Sequence, residues 1–288
     1  MKTKIRTPAP LNTTAQTGHL MFINLIRDWL RAPFDNYRLF HNFTKQDFFS
    51  QFTASVGGVL WLFLTPIVHL IIYSFVFSYI FRMRAPAEFG EINFVIFLML
   101  GYLPWFAFAD AFGRAPNLLI EKAPLITKVM FPVQIIPITG TVIPYLTHVI
   151  GFTLFLIYLA FNGYLNLNWL LLPFIFGLQF LFTLGLVAVI SAFCVFLRDL
   201  QQLIALLVTI WFFLTPIIYP ITMINSETVQ QLYLLNPMHS FVSLYREIVL
   251  VGQVTPIYLM IVVPVSLISF FAGGWLFMRI KHAFGDVL

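Results

Sequence analysis

Six apolar runs, at about 57–81, 92–112, 133–161, 169–197, 202–219 and 257–278, limit this chain to very few folds. Each is close to or above the length that an α-helix needs to cross bilayer hydrocarbon, and lipid offers a backbone no hydrogen-bond partner, so each run has to satisfy its own peptide groups as a helix. A strand barrel would need short alternating segments, and these runs are continuous. With 60% hydrophobic residues, 9% charged residues and a mean hydropathy of +0.91, no soluble domain competes. The fold class that follows is an all-α integral membrane protein. Six transmembrane helices are expected, with N-terminal amphipathic interface helices and, between spans five and six, a re-entrant helical hairpin on the outer side.

Charge orients the bundle. With an even number of spans and the N-terminus inside, Arg82, Arg84 and Arg246 are the only outside members of the 16 Lys and Arg, which puts both termini in the cytoplasm. Three parts follow. Residues 1–19 are polar, lack a secretory h-region and read as a disordered cytoplasmic tail. Residues 20–53 alternate apolar and charged side chains as amphipathic interface helices, and 54–288 form the six-span transmembrane domain.

The largest internal cluster of charge lies between spans two and three, from Asp110 to Pro132. Pro116 suits the first turn of a short helix and Pro124 would stop it about two turns later. The segment is either a docking helix for a cytoplasmic partner or an ordinary solvated loop. Between spans five and six, Asn236-Pro237 is a turn signal, and 238–251 is apolar but about half the length of a crossing. That stretch is either a hairpin dipping into the outer leaflet or an amphipathic helix on the outer surface.

A seven-residue element recurs. Span one carries Trp61-Leu-Phe-Leu-Thr65-Pro66-Ile67, and span five carries Trp211-Phe-Phe-Leu-Thr215-Pro216-Ile217. In each copy the proline frees a carbonyl one turn back and invites a bend. Spacing by four puts Trp61, Thr65, His69 and Tyr73 on one helix face, and Trp211, Thr215 and Tyr219 on the other. Such a polar and aromatic stripe suits a protein interior or a wet passage; chance recurrence in a Phe-rich chain is the competing reading. Asp110 and Arg114 read as a local ion pair, and His148 and Cys194 as packing residues.

Several chemistries are excluded. No lysine follows a glycine, so no phosphate-cradling Walker loop exists, and no histidine precedes glutamate as a zinc-protease helix requires. A single cysteine allows no disulfide framework or thiol metal site. The chain reads as a conduit, not an enzyme, driven by an ion gradient or, more simply, by a partner.

The chain resembles the membrane subunit of type-two ABC exporters for lipid-linked polysaccharides such as O-antigen, capsule or teichoic acid. The matching pieces are Lys45-Gln-Asp47 leading to Phe52-Thr-Ala-Ser55-Val-Gly57, Trp61 to Pro66, Asn117 to Lys122 with Phe131-Pro132, and Phe196-Leu-Arg198-Asp199-Leu200. Thr215-Pro216 to Tyr219-Pro220, Leu235-Asn236-Pro237 and the tail Arg279 to Leu288 complete the set. Their order and spacing together carry the likeness.

The resemblance implies a homodimer with two copies of a separate ABC ATPase that binds ATP and Mg, so that this chain binds no cofactor, metal or nucleic acid. It implies contact with the ATPase through Asn117, Leu118, Ile120, Glu121, Lys122 and Lys128. Arg38, Lys45, Arg114 and Arg198 become candidates to meet the diphosphate of a polyprenyl-linked glycan. Trp61, Thr65, His69, Tyr73, Trp211, Phe212, Thr215 and Tyr219 would line the path. Asn236, Pro237, Tyr245, Arg246 and Glu247 would form an outer gate. Gln51 stands where relatives often carry a basic residue, which argues against a phosphate contact there. A secondary transporter or channel without a nucleotide-binding partner is the alternative, as is an exporter of drugs or small lipids.

Overall fold

The computed structural model describes residues 13–53, 55–90, 92–128 and 131–288. Two helices, α1 (Thr13–Asp35) and α2 (Tyr37–Thr53), precede the bundle. In the bundle, α3 (Trp61–Tyr73) runs into a π-helical stretch, Ser74–Ile80, and α4 (Phe94–Arg114) is followed by the short α5 (Leu118–Glu121) and α6 (Ala123–Lys128). Then come α7 (Ile135–Phe161), α8 (Leu172–Cys194), α9 (Leu200–Phe213), α10 (Glu227–Leu232), α11 (Pro237–Arg246), α12 (Pro256–Ile280) and α13 (Phe284–Val287). Residues 13–19, expected as tail, are the first turns of α1; the rest of that stretch, 1–12, lies outside the described residues.

Among the described residues, five helices are long and apolar enough to cross a membrane: Gly58–Ile80, Phe94–Glu121, Ile135–Phe161, Leu167–Cys194 and Pro256–Val287. The protein is a multi-pass membrane protein. The run expected as span five differs, because α9 has 14 residues and stops at Phe213. The backbone from Leu214 to Pro220 is not helical.

At the centre stands α4, whose sides are almost all covered by α3, α7, α8, α9 and α11. Asn93 caps its start, accepting a hydrogen bond from the Val95 amide at 2.9 Å. Trp105, Phe108 and Phe112 of α4 meet Phe182 of α8 and Trp211 of α9 in one ring cluster. Next to it, α11 is too short to span, yet eight of its ten residues are buried among α4, α8 and α12.

The tightest helix pair is α8 with α12. Gly185 faces the Ser269 backbone and Gly273 faces the Gly185 backbone, so closely that a Cβ on either glycine would land on the opposing main chain. The Ser269 hydroxyl donates to the Phe182 carbonyl at 2.8 Å across the same seam. Small residues four apart let two apolar helices gain dispersion contact where lipid provides no hydrophobic drive. Toward the C-terminal end of α12, Gly274 forms a notch for the Trp29 indole, which is 1% exposed and anchors α1 to the bundle.

Gly273→Val should therefore force the seam apart and lower stability by about 1–3 kcal/mol. Gly113→Ala, where an added methyl meets open space, should be neutral or stabilising. Thermal unfolding of the purified variants in one detergent checks the contrast.

Candidate functional site

Where α9 stops, its carbonyls lose their helical donors, and each finds a replacement. Leu214 N–H donates to the Ile210 carbonyl at 3.0 Å and Thr215 N–H to Phe212 at 3.2 Å. The Thr215 hydroxyl takes the Trp211 carbonyl at 2.8 Å, and the Tyr219 hydroxyl takes Phe213 at 2.7 Å. The Asn236 amide donates to the Leu214 carbonyl at 3.1 Å and to the Thr215 hydroxyl at 3.0 Å, while its oxygen accepts from the Trp211 indole at 2.8 Å and from the Met238 amide at 3.1 Å. Ile217 N–H reaches the Thr215 carbonyl, and Arg246 donates to Pro216 at 2.7 Å and to Ile217 at 2.8 Å. Every carbonyl from Ile210 to Ile217 is thus satisfied, with Asn236 and Arg246 supplied by the two ends of α11.

Arg246 is 4% exposed. It also donates to the Phe97 carbonyl of α4 at 3.1 Å, and its guanidinium carbon lies 3.5 Å from the centre of the Phe97 ring. Gly101 is small because a Cβ there would strike the guanidinium. The neighbouring Glu247 does different work: its two oxygens accept from the amide and hydroxyl of Thr255, at 2.8 and 2.6 Å, at the start of α12. Asn166 donates to Ile248 and Val249, Asn168 to Gly252 and the Trp169 indole to Val249, so carbonyls of the stretch that follows α11 also find side-chain donors. At this end partial burial raises the Glu88 carboxyl above its ordinary value, against the opposing pull of Arg246.

The first copy of the repeat behaves otherwise. Pro66 lies within a continuous α3, and Thr65 is exposed where Thr215 is buried. Trp61, Thr65 and His69 line a groove of ≈ 460 Å³ between α3, α4 and α7, where His69 stacks on Tyr73 at 5.8 Å. Its floor holds Asp110, bonded to Arg114 at 2.8 Å and 3.5 Å from His148, and Arg114 also reaches the Gln51 side chain at 3.3 Å. Trp211 and Phe212 pack onto Trp105 and Thr215 is buried, so the second stripe does not line the groove that holds the first.

The polar interval differs from its expected form. Pro116 lies in a 3-10 turn, and Pro124 starts α6 instead of ending a helix; the break falls at Lys122. Leu119 is fully buried and Leu118 fills a notch at Gly140 of α7, whereas Asn117, Glu121 and Lys128 are exposed. Lys122 is held by Asp47 of α2 at 2.9 Å. Residues 38–250 match the family model for ABC-2 type transporters.

The chain belongs to the ABC-2 type transporter family.

It is 31% identical over 240 residues to the O-antigen export system permease protein RfbA of Myxococcus xanthus, covering 82% of this chain and 90% of that protein. It is 28% identical over 247 residues to an O-antigen export system permease protein RfbA of Klebsiella pneumoniae (85% and 93%). It is 25% identical over 230 residues to the polysialic acid transport protein KpsM of Escherichia coli (78% and 87%).

In this ABC-2 transporter the cationic candidates do not converge on one point. Arg38, Lys45 and Arg198 are exposed, while Arg114 is engaged with Asp110 and Gln51. One residue escaped sequence reasoning although it left a signal. Gln179, a buried amide inside an apolar run, donates to the Pro104 carbonyl of α4 at 2.7 Å and accepts from Tyr245 of α11 at 2.9 Å, and its carbonyl takes the Tyr145 hydroxyl of α7 at 3.1 Å. Polar side chains at such depth are seldom idle.

Replacing Arg246 with Met would leave the Pro216 and Ile217 carbonyls without donors. A loss of about 2–4 kcal/mol should follow, with Arg246→Lys falling between, as thermal unfolding of the purified protein would register. For the α2 clamp, Asp47→Lys and Lys122→Asp should each destabilise, and the double exchange should recover part of the loss. The partly exposed pair is worth about 1 kcal/mol or less in a double-mutant cycle.

Proposed function

We propose that this chain is the transmembrane subunit of an ATP-driven exporter that moves a polyprenyl-diphosphate-linked polysaccharide, of O-antigen or capsule type, across the bacterial inner membrane. The observation that carries this reading is the 31% identity, over most of both chains, to an O-antigen export permease. In this reading two copies of the chain work with two copies of an ABC ATPase, which holds ATP and Mg, and both termini are cytoplasmic.

The geometry supports a division of labour. The exposed side of the polar interval, Asn117, Glu121 and Lys128, is the surface for the ATPase, and its buried side, Leu118 and Leu119, seats on α7 and in the core. A push on this interval passes to α2 through Asp47 and Lys122, and to α4, with which it is continuous. The far end of α4 holds Arg246 through the Phe97 carbonyl, so displacement of α4 reaches the capped break of α9 and the hairpin behind it. That hairpin, α10 with α11, serves as the outer gate. The groove lined by Trp61, Thr65 and His69 offers the sugar chain aromatic surface and hydroxyls. Exposed Arg38, Lys45 and Arg198 offer fixed charge to a diphosphate at the inner interface.

Two experiments test this. Depleting the chain should strip one surface glycan and leave its lipid-linked form inside the cell; a surface glycan that persists would refute the reading, and unaided transport by the reconstituted chain would favour a secondary carrier. Charge reversal at Glu121 and Lys128, neither of them in an ion pair among the described residues, should cut export at least tenfold while membrane insertion stays normal. Export and ATPase co-purification are the measurements.

A further inference from the structure

We propose that a small polar cavity behind the hairpin, at the end of the bundle remote from the coupling interval, is a binding subsite for one neutral sugar ring. The inference rests on the export reading above and names a place where the cargo is recognised. The cavity measures ≈ 210 Å³. At roughly 30 Å³ per water it has room for about seven waters, which suits one ring and not a chain of them.

Its lining contains a buried group that the fold leaves unused. His239 is 2% exposed, and its Nδ1 has no hydrogen-bond partner. A buried polar atom without a partner is rare enough to require a reason, and a ligand group supplies one. Arg246 contributes the second. Its three hydrogen bonds use three of the five guanidinium N–H groups, all to neutral carbonyls, and it is in no ion pair among the described residues. Ser243 and Tyr258 add hydroxyls at the wall, where they meet each other, and Phe89 adds aromatic surface.

Charge selects the ligand class. Glu88 and Glu247 also line the cavity, so an anion would face two carboxylates. Arg246 repels a bare cation, and no group of three or more metal-ligating side chains occurs among the described residues. What remains is a neutral ligand that both donates and accepts, and a polyhydroxy ring does both on every edge. Carboxylates take its hydroxyl protons, while the guanidinium and the His239 nitrogen bond its oxygens or hydroxyls. Because α11 carries His239, Ser243 and Arg246, occupancy would be felt directly by the segment that caps the break in α9.

The full-length chain in lipid nanodiscs can be tested by saturation-transfer NMR against methyl glycosides of glucose, galactose, mannose and rhamnose, N-acetylglucosamine, glucuronate and inorganic phosphate. At least one neutral sugar should show saturable transfer. Removing one hydrogen-bonding group in His239→Phe or Ser243→Ala should weaken it about fivefold or more, while Gly113→Ala, where the added methyl meets open space, leaves it unchanged. Ser243→Ala is the milder change and guards against a misfolded His239 variant. Transfer to glucuronate or phosphate alone, no transfer at all, or a neutral-sugar signal unmoved by both variants would overturn the subsite. Loss of surface glycan on depletion without any sugar binding sinks the subsite alone, whereas glycan that survives depletion sinks the export reading whatever the NMR shows.

Discussion

A peptide carbonyl that leaves its helix inside a membrane protein must find a donor within the protein, and the arrangement of this bundle follows from how that demand is met at the end of α9. Each unpaired backbone group in hydrocarbon costs several kcal/mol, so a helix that stops at Phe213 is tolerable only if other parts of the chain reach in. Asn236 and Arg246 do so from opposite ends of α11. The break in one helix and the burial of another short one are therefore a single structural solution.

The same interactions couple distant parts. Arg246 joins the α9 break to Phe97 near the start of α4, and the far end of α4 continues into the interval that carries Glu121 and Lys122. Gln179 bonds α4, α7 and α11 midway. Rigid elements joined at both ends by hydrogen bonds transmit displacement better than apolar contacts that can slide. In the export mechanism proposed above, such a connection would carry a push at one face to the other.

The two copies of the Trp-x-x-x-Thr-Pro element show how context overrides local sequence. Proline is present in both, yet α3 remains helical through Pro66 and α9 ends before Pro216. Downstream chemistry makes the difference: the second copy is followed by Pro220, Asn236 and Arg246, which hold the unwound form, whereas the first is followed by Val68 to Ile80, helical throughout and without a further proline. Local propensity permits both outcomes, and the available donors choose between them.

The residues alone determined the membrane class, the number of apolar runs, the short buried-length segment after Asn236-Pro237 and the family likeness, because hydrocarbon imposes a length and polarity rule that needs no partner to be read. They also placed Asn236 in a turn signal and, through the resemblance, Asn236 and Arg246 in an outer gate, but not as the donors that cap the break in α9. Only the tertiary structure decided that span five is cut short, that Lys122 is spoken for by Asp47, that Pro124 begins a helix, and that Gln179 is a junction. Apart from the start at Pro124, which rests on local bonds back to Lys122, these depend on which groups lie within hydrogen-bonding distance far apart in the chain, and spacing along one helix carries no record of that.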